Sequence, residues 1–351
     1  MEIGITTFGE TTPDPATGQT IDAATRLAEL IEEIELADQA RLDVFAVGEH
    51  HRPDFAVSAP AVVLGAAAVK TSRIRLASAV TVLSSDDPVR VFQDFATVDL
   101  LSHGRAEIWA GRGSFTESFP LFGYDLKDYD DLYAEKLGLL LKIRDNEKVT
   151  WAGKHRATID DLGVYPRPVQ DPLPVWVGVG GNPNSVIRAG RLGLPLVIAI
   201  IGGEPRRFAP LVELYRESGK QAGHDPAILK VAINQHAFIA DDEQEASGIF
   251  YSPYAHVMSK IGRERGWSAM TRSQYEALRS PMGALLVGDP KQVIDKMLYE
   301  FELFDYDRFL LHFSVGTMPH DKVMRAIELL ASVVVPAVRK ATENVAAQAA
   351  V

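Results

Sequence analysis

The sequence contains no cysteine. That excludes disulfides, zinc–thiolate centres and any mechanism built on a thiol nucleophile. Long apolar runs are also missing, and none approaches the ~20 residues of a membrane-spanning helix. The amino terminus, MEIGITTFGE, has no basic stretch leading into an apolar one, so no secretion signal is expected. Nor is there an excess of positive charge. Lys and Arg number 36 against 47 Asp and Glu, a formal net charge of −11. That is the wrong sign for gripping a nucleic-acid backbone or adhering to an anionic membrane. A cytoplasmic protein without nucleic-acid or membrane partners is expected. Walker, G-x-S-x-G and H-E-x-x-H sequences are absent too, which removes the commonest nucleotide-triphosphatase, serine-hydrolase and zinc-protease templates.

What is present is ordinary globular composition, 46% hydrophobic and 24% charged over 351 residues. Short apolar runs recur, most followed by a helical pattern. They predict strands at Glu2–Thr7, Val44–Gly48, Ile74–Val82, Ala106–Ala110, Val175–Val179, Pro195–Ile200, Val231–Ile239 and Arg308–Phe313. Helices are expected over Ile21–Arg41 (with Thr20 as cap), Pro88–Gly104, Asp130–Arg144, Asn184–Arg191, Pro205–Gly219 and Pro290–Phe304, and from about Asp321. Eight strands mostly separated by single helices imply parallel pairing through right-handed crossovers. Such units close into an α/β (β/α)8 TIM barrel rather than an open doubly wound sheet. No linker or fixed repeat divides the chain, so residues 1–351 read as one barrel domain. Insertions are expected within 112–174 and 240–307.

In such a barrel, reactive groups collect where strands end. The second strand ends in Glu49-His50-His51. A histidine at a pocket mouth can give or take a proton, and Glu49 stands where it could orient one ring or raise its pKa. The plain alternative is a surface loop. No metal site is expected, because the first strand, Gly4-Ile5-Thr6-Thr7, offers no His-x-His. His236 and His312 read as satisfied interior or rim residues. The fifth strand runs into VWVGVGGNPNSVIRAG, and strand, glycines and helix start together point free N–H groups at an anion. The dinucleotide spacing fails at Pro183, and a simple turn capped by Asn182 or Asn184 is the alternative. Arg112, between Gly111 and Gly113, either clamps phosphate oxygens or pairs with a neighbouring loop. Asp86 and Asp87 before Pro88, and Asp289 before Pro290, are expected to cap helices.

Several stretches then fall together in one order: GEHH, TVLSSDDPVRVFQDFATVDLLSHGR, GRGSFTESFPLFG, PVWVGVGGNPNSVIRAGRLGLPLV and VGDPKQVIDKM. From about Met1 to Val315 the chain resembles the bacterial-luciferase-like flavin monooxygenases. That resemblance implies a barrel holding FMN, or in some branches F420, at the carboxyl ends of its strands. It places the active-site histidine on His50 and a non-prolyl cis peptide under the flavin ring at Ala79–Val80. It puts the phosphate against Arg112 and the Gly180, Gly181, Asn182 and Ser185 loop. Gly111 stands where luciferase has a reactive cysteine, and Asp87 where it has a second histidine. Gly180-Gly181 replaces an acidic and a hydroxyl residue. These departures bear on the aldehyde substrate and on light emission, not on the flavin. The implied activity is two-component oxygenation of a small organic substrate. A separate NAD(P)H–flavin reductase supplies reduced FMN, which reacts with O2 through a C4a-hydroperoxide, beneath a lid near 250–286. A homodimer is implied as well. An F420-dependent hydride-transferring dehydrogenase, or a flavin-binding protein without turnover, are the alternatives on the same fold.

Overall fold

Eight parallel strands close on themselves. β1 (Glu2–Thr7) pairs with β2 (Val44–Val47), and the ring continues through β3 (Arg75–Ser78), β4 (Ala106–Gly111), β5 (Val175–Val179), β6 (Leu196–Ile200) and β7 (Val231–Ile239). β8 (Arg308–His312) pairs with β7 on one side and with β1 on the other, which shuts the barrel. The computed structural model describes residues 1–349. Parallel neighbours require crossovers, and helices supply them: α1 (Ala23–Gln39), α2 (Pro60–Lys70), α3 (Pro88–Ser102), α4 (Tyr129–Asp145), α5 (Pro183–Arg191) and α6 (Ala209–Gln221). Between β7 and β8 lie α7 (Glu243–Arg265), α8 (Arg272–Arg279), a short strand Leu286–Gly288 and α9 (Pro290–Phe304). After β8 come α10 (His320–Leu329), a π-helical turn (Leu330–Val334) and α11 (Val335–Ala349). The expected (β/α)8 barrel is the barrel found.

Local chemistry sets the helix starts. Asp22, not Thr20, caps α1 by accepting from the Thr25 amide. Asp87 accepts from the Val89 amide, with Pro88 opening α3 where its missing N–H costs nothing. Asp289 and Gln292 form a reciprocal capping box on α9. Three features escaped the periodicity. α2 reads PAVVLGAAAVK, apolar on every face, so no polar stripe marks its turn; Val62 and Val69 indeed point outward. The expected continuous third strand stops at Ser78, the Ala79–Val80 peptide is cis, and Thr81–Val82 then pairs separately with β4. The excursion within 112–174 contains a hairpin, Lys148–Trp151 with Ile159–Gly163.

The barrel interior is filled from its amino-terminal end. Arg308 on β8 reaches across to Glu107 on β4 with bonds of 2.6 and 3.0 Å, and both side chains are about 2% exposed. The guanidinium also bonds Glu2 and lies 4.3 Å from the Trp176 ring centre. Above it, Trp109 and Trp176 pack with small residues such as Ala46, Ala77 and Ala232. Higher still the strands end and the interior stays open. Among the described residues, no helix is long and apolar enough to cross a membrane.

Burial pushes the Glu107 carboxyl up, and Arg308 more than reverses this, holding it below the usual range. Its contribution to stability is therefore present above the ordinary carboxyl pKa and is lost as pH falls through the depressed value. Replacing Glu107 by Ala strands a buried cation and is expected to cost about 3–5 kcal/mol in denaturant unfolding. The double change Glu107→Leu with Arg308→Met should cost less than Glu107→Ala alone; a larger cost would show that the pair does not act as a unit.

Candidate active site

The open end of the barrel is a cavity of about 630 Å³. Every strand end contributes to its wall: Phe8 and Glu10 after β1, Glu49 and His50 after β2, Ala79 and Val80 after β3, Gly111 to Phe115 after β4, Gly178 to Gly180 at β5, Ile201 after β6, Asn234 to His236 on β7, and His312 and Val315 at β8. α7 closes the mouth with Val257, Met258 and Ile261, followed by Trp267. Within the insertion expected near 250–286, the residues facing the cavity thus lie on a helix and the turn after it. Two ion pairs fasten that helix to the loop after β2. Arg52 bonds Glu264 through both terminal nitrogens, and Lys260 meets Asp54 at 2.5 Å.

His50 sits among aromatic rings. Its ring centre lies 4.4 Å from Phe8, 4.4 Å from Phe55 and 5.0 Å from Phe115. Burial first, then the nearby His312, His51 and Arg52, drives its pKa down to about 3. The imidazole is neutral throughout the physiological range, and its Nε2 is buried with no hydrogen-bond partner. Glu49 does not serve it. One Glu49 oxygen takes His51 Nε2 at 2.8 Å and the other accepts the Val82 amide at 2.9 Å. Of the two histidines it is thus the His51 ring that Glu49 orients, not His50. The aromatic wall lowers the His50 pKa, because it desolvates the ring and offers no counter-charge.

Opposite His50, Val80 projects between two strands that carry no side chains there. A methyl group on Gly111 or Gly178 would fall on the Val80 isopropyl group, so those glycines are what let Val80 form a ledge. Beside the ledge lies the anion-like corner. Arg112 and Gly180 line the cavity, as does Asn182, whereas Gly181 and Ser185 stand outside its wall. Asn182 caps α5 by accepting from the Asn184 and Ser185 amides, and Gly181 takes φ +106°, a conformation suited to glycine. Of the two readings of Arg112, the ion pair is seen, with the exposed Asp130 at 2.5 Å, and the side chain also lines the cavity. Sequence reasoning missed a second arginine. Arg188, in the second turn of α5, stacks on Tyr133 and carries a buried Nη1 without a partner. Its position six residues beyond the Asn182 cap was the available signal. His236 and His312, read as interior or rim residues, both line the cavity.

The model of the luciferase-like monooxygenase family matches residues 1–305. The chain belongs to that family. The oxygenase component of a flavin-dependent trigonelline monooxygenase from Acinetobacter baylyi is 23% identical over 335 residues, 88% of this chain and 89% of that one. The oxygenating constituent of 3,6-diketocamphane monooxygenase from Pseudomonas putida, solved with FMN, superposes with TM-score 0.77 at 20% identity, covering 96% and 98% of the two chains. An F420-dependent secondary alcohol dehydrogenase, solved with an F420–acetone adduct, superposes with TM-score 0.75 at 19% identity, again covering 96% and 98%. At these identities the solved structures establish a shared barrel.

For this luciferase-like barrel the ledge is open to direct test. Gly111→Ala forces Val80 aside and is expected to cost roughly 1–3 kcal/mol, the scale of overpacking. Adding Val80→Ala should recover most of that loss in thermal unfolding; additive losses would mean the two positions do not touch. His50 adds an acid sensitivity. The unfolded imidazole takes up a proton below about pH 6.5, which the folded ring refuses until about pH 3. Stability therefore falls across that window, and His50→Phe should flatten part of the decline in chemical denaturation.

Proposed function

We propose that the protein is the oxygenase of a two-component flavin system. It takes reduced FMN from a separate NAD(P)H–flavin reductase and uses O2 to oxygenate a small organic substrate. One oxygen atom enters the substrate, the other leaves as water, and the flavin is reoxidised. The observation that carries this reading is a single cavity joining Arg112 and the Gly180–Asn182 turn to an aromatic chamber around a neutral imidazole. The residues fit the cofactor class. Arg112 beside the Gly180–Asn182 turn suits an anionic group, and the ledge of Val80 over Gly111 and Gly178 suits a flat ring system.

Bound reduced flavin supplies the electrons that activate O2. The chain does the rest. Arg112 and the Gly180–Asn182 turn hold phosphate oxygens, with Arg188 adding positive charge behind them. Val80 supports the ring. His50 holds or passes a proton at the reacting face without bringing a charge into an apolar chamber. α7 and Trp267 keep water out, which protects reduced intermediates from wasteful decay. The trigonelline relative, described as an oxygenase component, supports the two-component arrangement. The shared barrel of the F420-dependent alcohol dehydrogenase supports one second reading, hydride transfer with F420.

Mixing the protein with reduced FMN and O2 should give oxygen consumption followed, after a delay, by hydrogen peroxide release. In His50→Ala the delay should shorten about tenfold or more while FMN affinity holds. Parallel loss of both would remove the proton role. Arg112→Ala should weaken FMN binding by roughly 1.5–3 kcal/mol, the scale of a charge-assisted hydrogen bond, and unchanged affinity would end that assignment. Tighter binding of F420 than of FMN, with no oxygen consumption, would select the hydride-transfer reading.

A further inference from the structure

On the side of the cavity away from Arg112, the parallel pairing of β1, β8 and β7 sets Thr6 beside His312 and His312 beside His236. A chain of hydrogen bonds runs through this wall. Thr6 Oγ1 lies 2.9 Å from Asn234 Oδ1 and 3.0 Å from His312 Nδ1. His312 Nε2 lies 3.2 Å from Glu10 Oε1. Ser314 Oγ donates to Glu10 Oε2 at 2.7 Å and meets Thr7 Oγ1 at 2.7 Å. Glu10, His312 and Asn234 line the cavity, and Asn234 is the one residue of β7 that is not fully buried.

Counting hydrogens gives this chain two complete patterns with the same heavy-atom positions. In the first, the Thr6 hydroxyl donates to Asn234 Oδ1, so His312 Nδ1–H must donate to Thr6. His312 Nε2 and Glu10 then share one further proton. In the second, the Asn234 amide is turned over and its Nδ2–H donates to Thr6. Thr6 donates to His312 Nδ1, and Nε2–H donates to an ionised Glu10. The patterns differ by one proton and by the face Asn234 shows the cavity, N–H donors in the first and a carbonyl acceptor in the second. The proton count at Glu10 and His312 is thereby coupled to the hydrogen-bonding polarity of the cavity wall.

We propose that this wall is the subsite for the organic substrate and takes an uncharged carbonyl compound, whose oxygen accepts from Asn234 while Glu10 and His312 retain their shared proton. An ionised oxygen is disfavoured there because the Glu10 carboxyl on the same wall would repel it. In this role Asn234 is a binding residue, while Glu10, His312 and Thr6 position it. The inference rests on the proposed function only in taking this cavity as the place of the substrate. Burial, with His312 contributing, keeps His236 and His50 neutral; on α1, Glu33 outweighs the burial of Arg26 and keeps it charged.

Isothermal titration with cyclohexanone and with cyclohexene, in the presence and absence of FMN, tests it. Cyclohexanone should bind more tightly than the hydrocarbon. As pH rises its affinity should fall, by up to about tenfold per pH unit at the steepest, while the hydrocarbon profile stays flat. In Glu10→Gln the side-chain amide can donate to or accept from His312 Nε2, so both patterns carry the same number of protons. Ketone affinity should then lose its pH dependence. Thr6→Val, which cuts the chain, should also lose the pH dependence. Equal binding of ketone and hydrocarbon, or the same sloping profile in wild type and Glu10→Gln, overturns the proposal. Failure of FMN to bind while the ketone profile persists would overturn the flavin reading and leave this one standing.

Discussion

The buried ion pair between Arg308 and Glu107 underlies everything above it. Two opposite charges from strands on opposite sides of the barrel meet in its interior, roofed by Trp109 and Trp176. A pair so enclosed is a doubtful source of net stability, because desolvating both ions offsets their attraction. Its stronger effect is on uniqueness, since any slip in strand register would leave a bare charge inside. The plug also fixes how high the packed layers rise. Above the tryptophans the strands end, and the space between their ends is the cavity.

Charge is arranged in that cavity by depth. The inner wall carries the His50 and His236 imidazoles, which burial keeps neutral, an amide and aromatic rings, with the Glu10 carboxyl beside His312. Around the rim, charges come in pairs: Arg52 with Glu264, Lys260 with Asp54, Arg112 with Asp130. Such a gradient admits a ligand with one anionic end at the edge and an uncharged ring inside. It also lets polar groups in the interior exchange protons without creating stranded ions.

Much of this was legible in the sequence because strand ends carry their chemistry within a few residues. The β2 run into Glu49-His50-His51 and the β5 run into Gly180-Gly181-Asn182 are read by adjacency alone, and both reach the cavity. So is the capping of α9 by Asp289. The rest depends on contacts across the barrel, which spacing does not encode. The partner of Glu49 proved to be His51 because the loop turns that ring toward it. Glu10 and His312 are separated by 302 residues and meet only when β8 closes on β1. The α2 helix hid for the opposite reason, since a segment apolar on all sides has no period to detect.

The central claim is that the carboxyl rim seats a flavin, with its phosphate at the β4 and β5 ends and its ring over the Val80 ledge. A crystal structure of the protein soaked with FMN tests this most directly. The account predicts the phosphate between Arg112 and the Gly180–Asn182 turn, and the ring lying on Val80 with His50 across from it. Density for FMN elsewhere on the molecule, or a phosphate pointing toward Glu10 and His312, would contradict it.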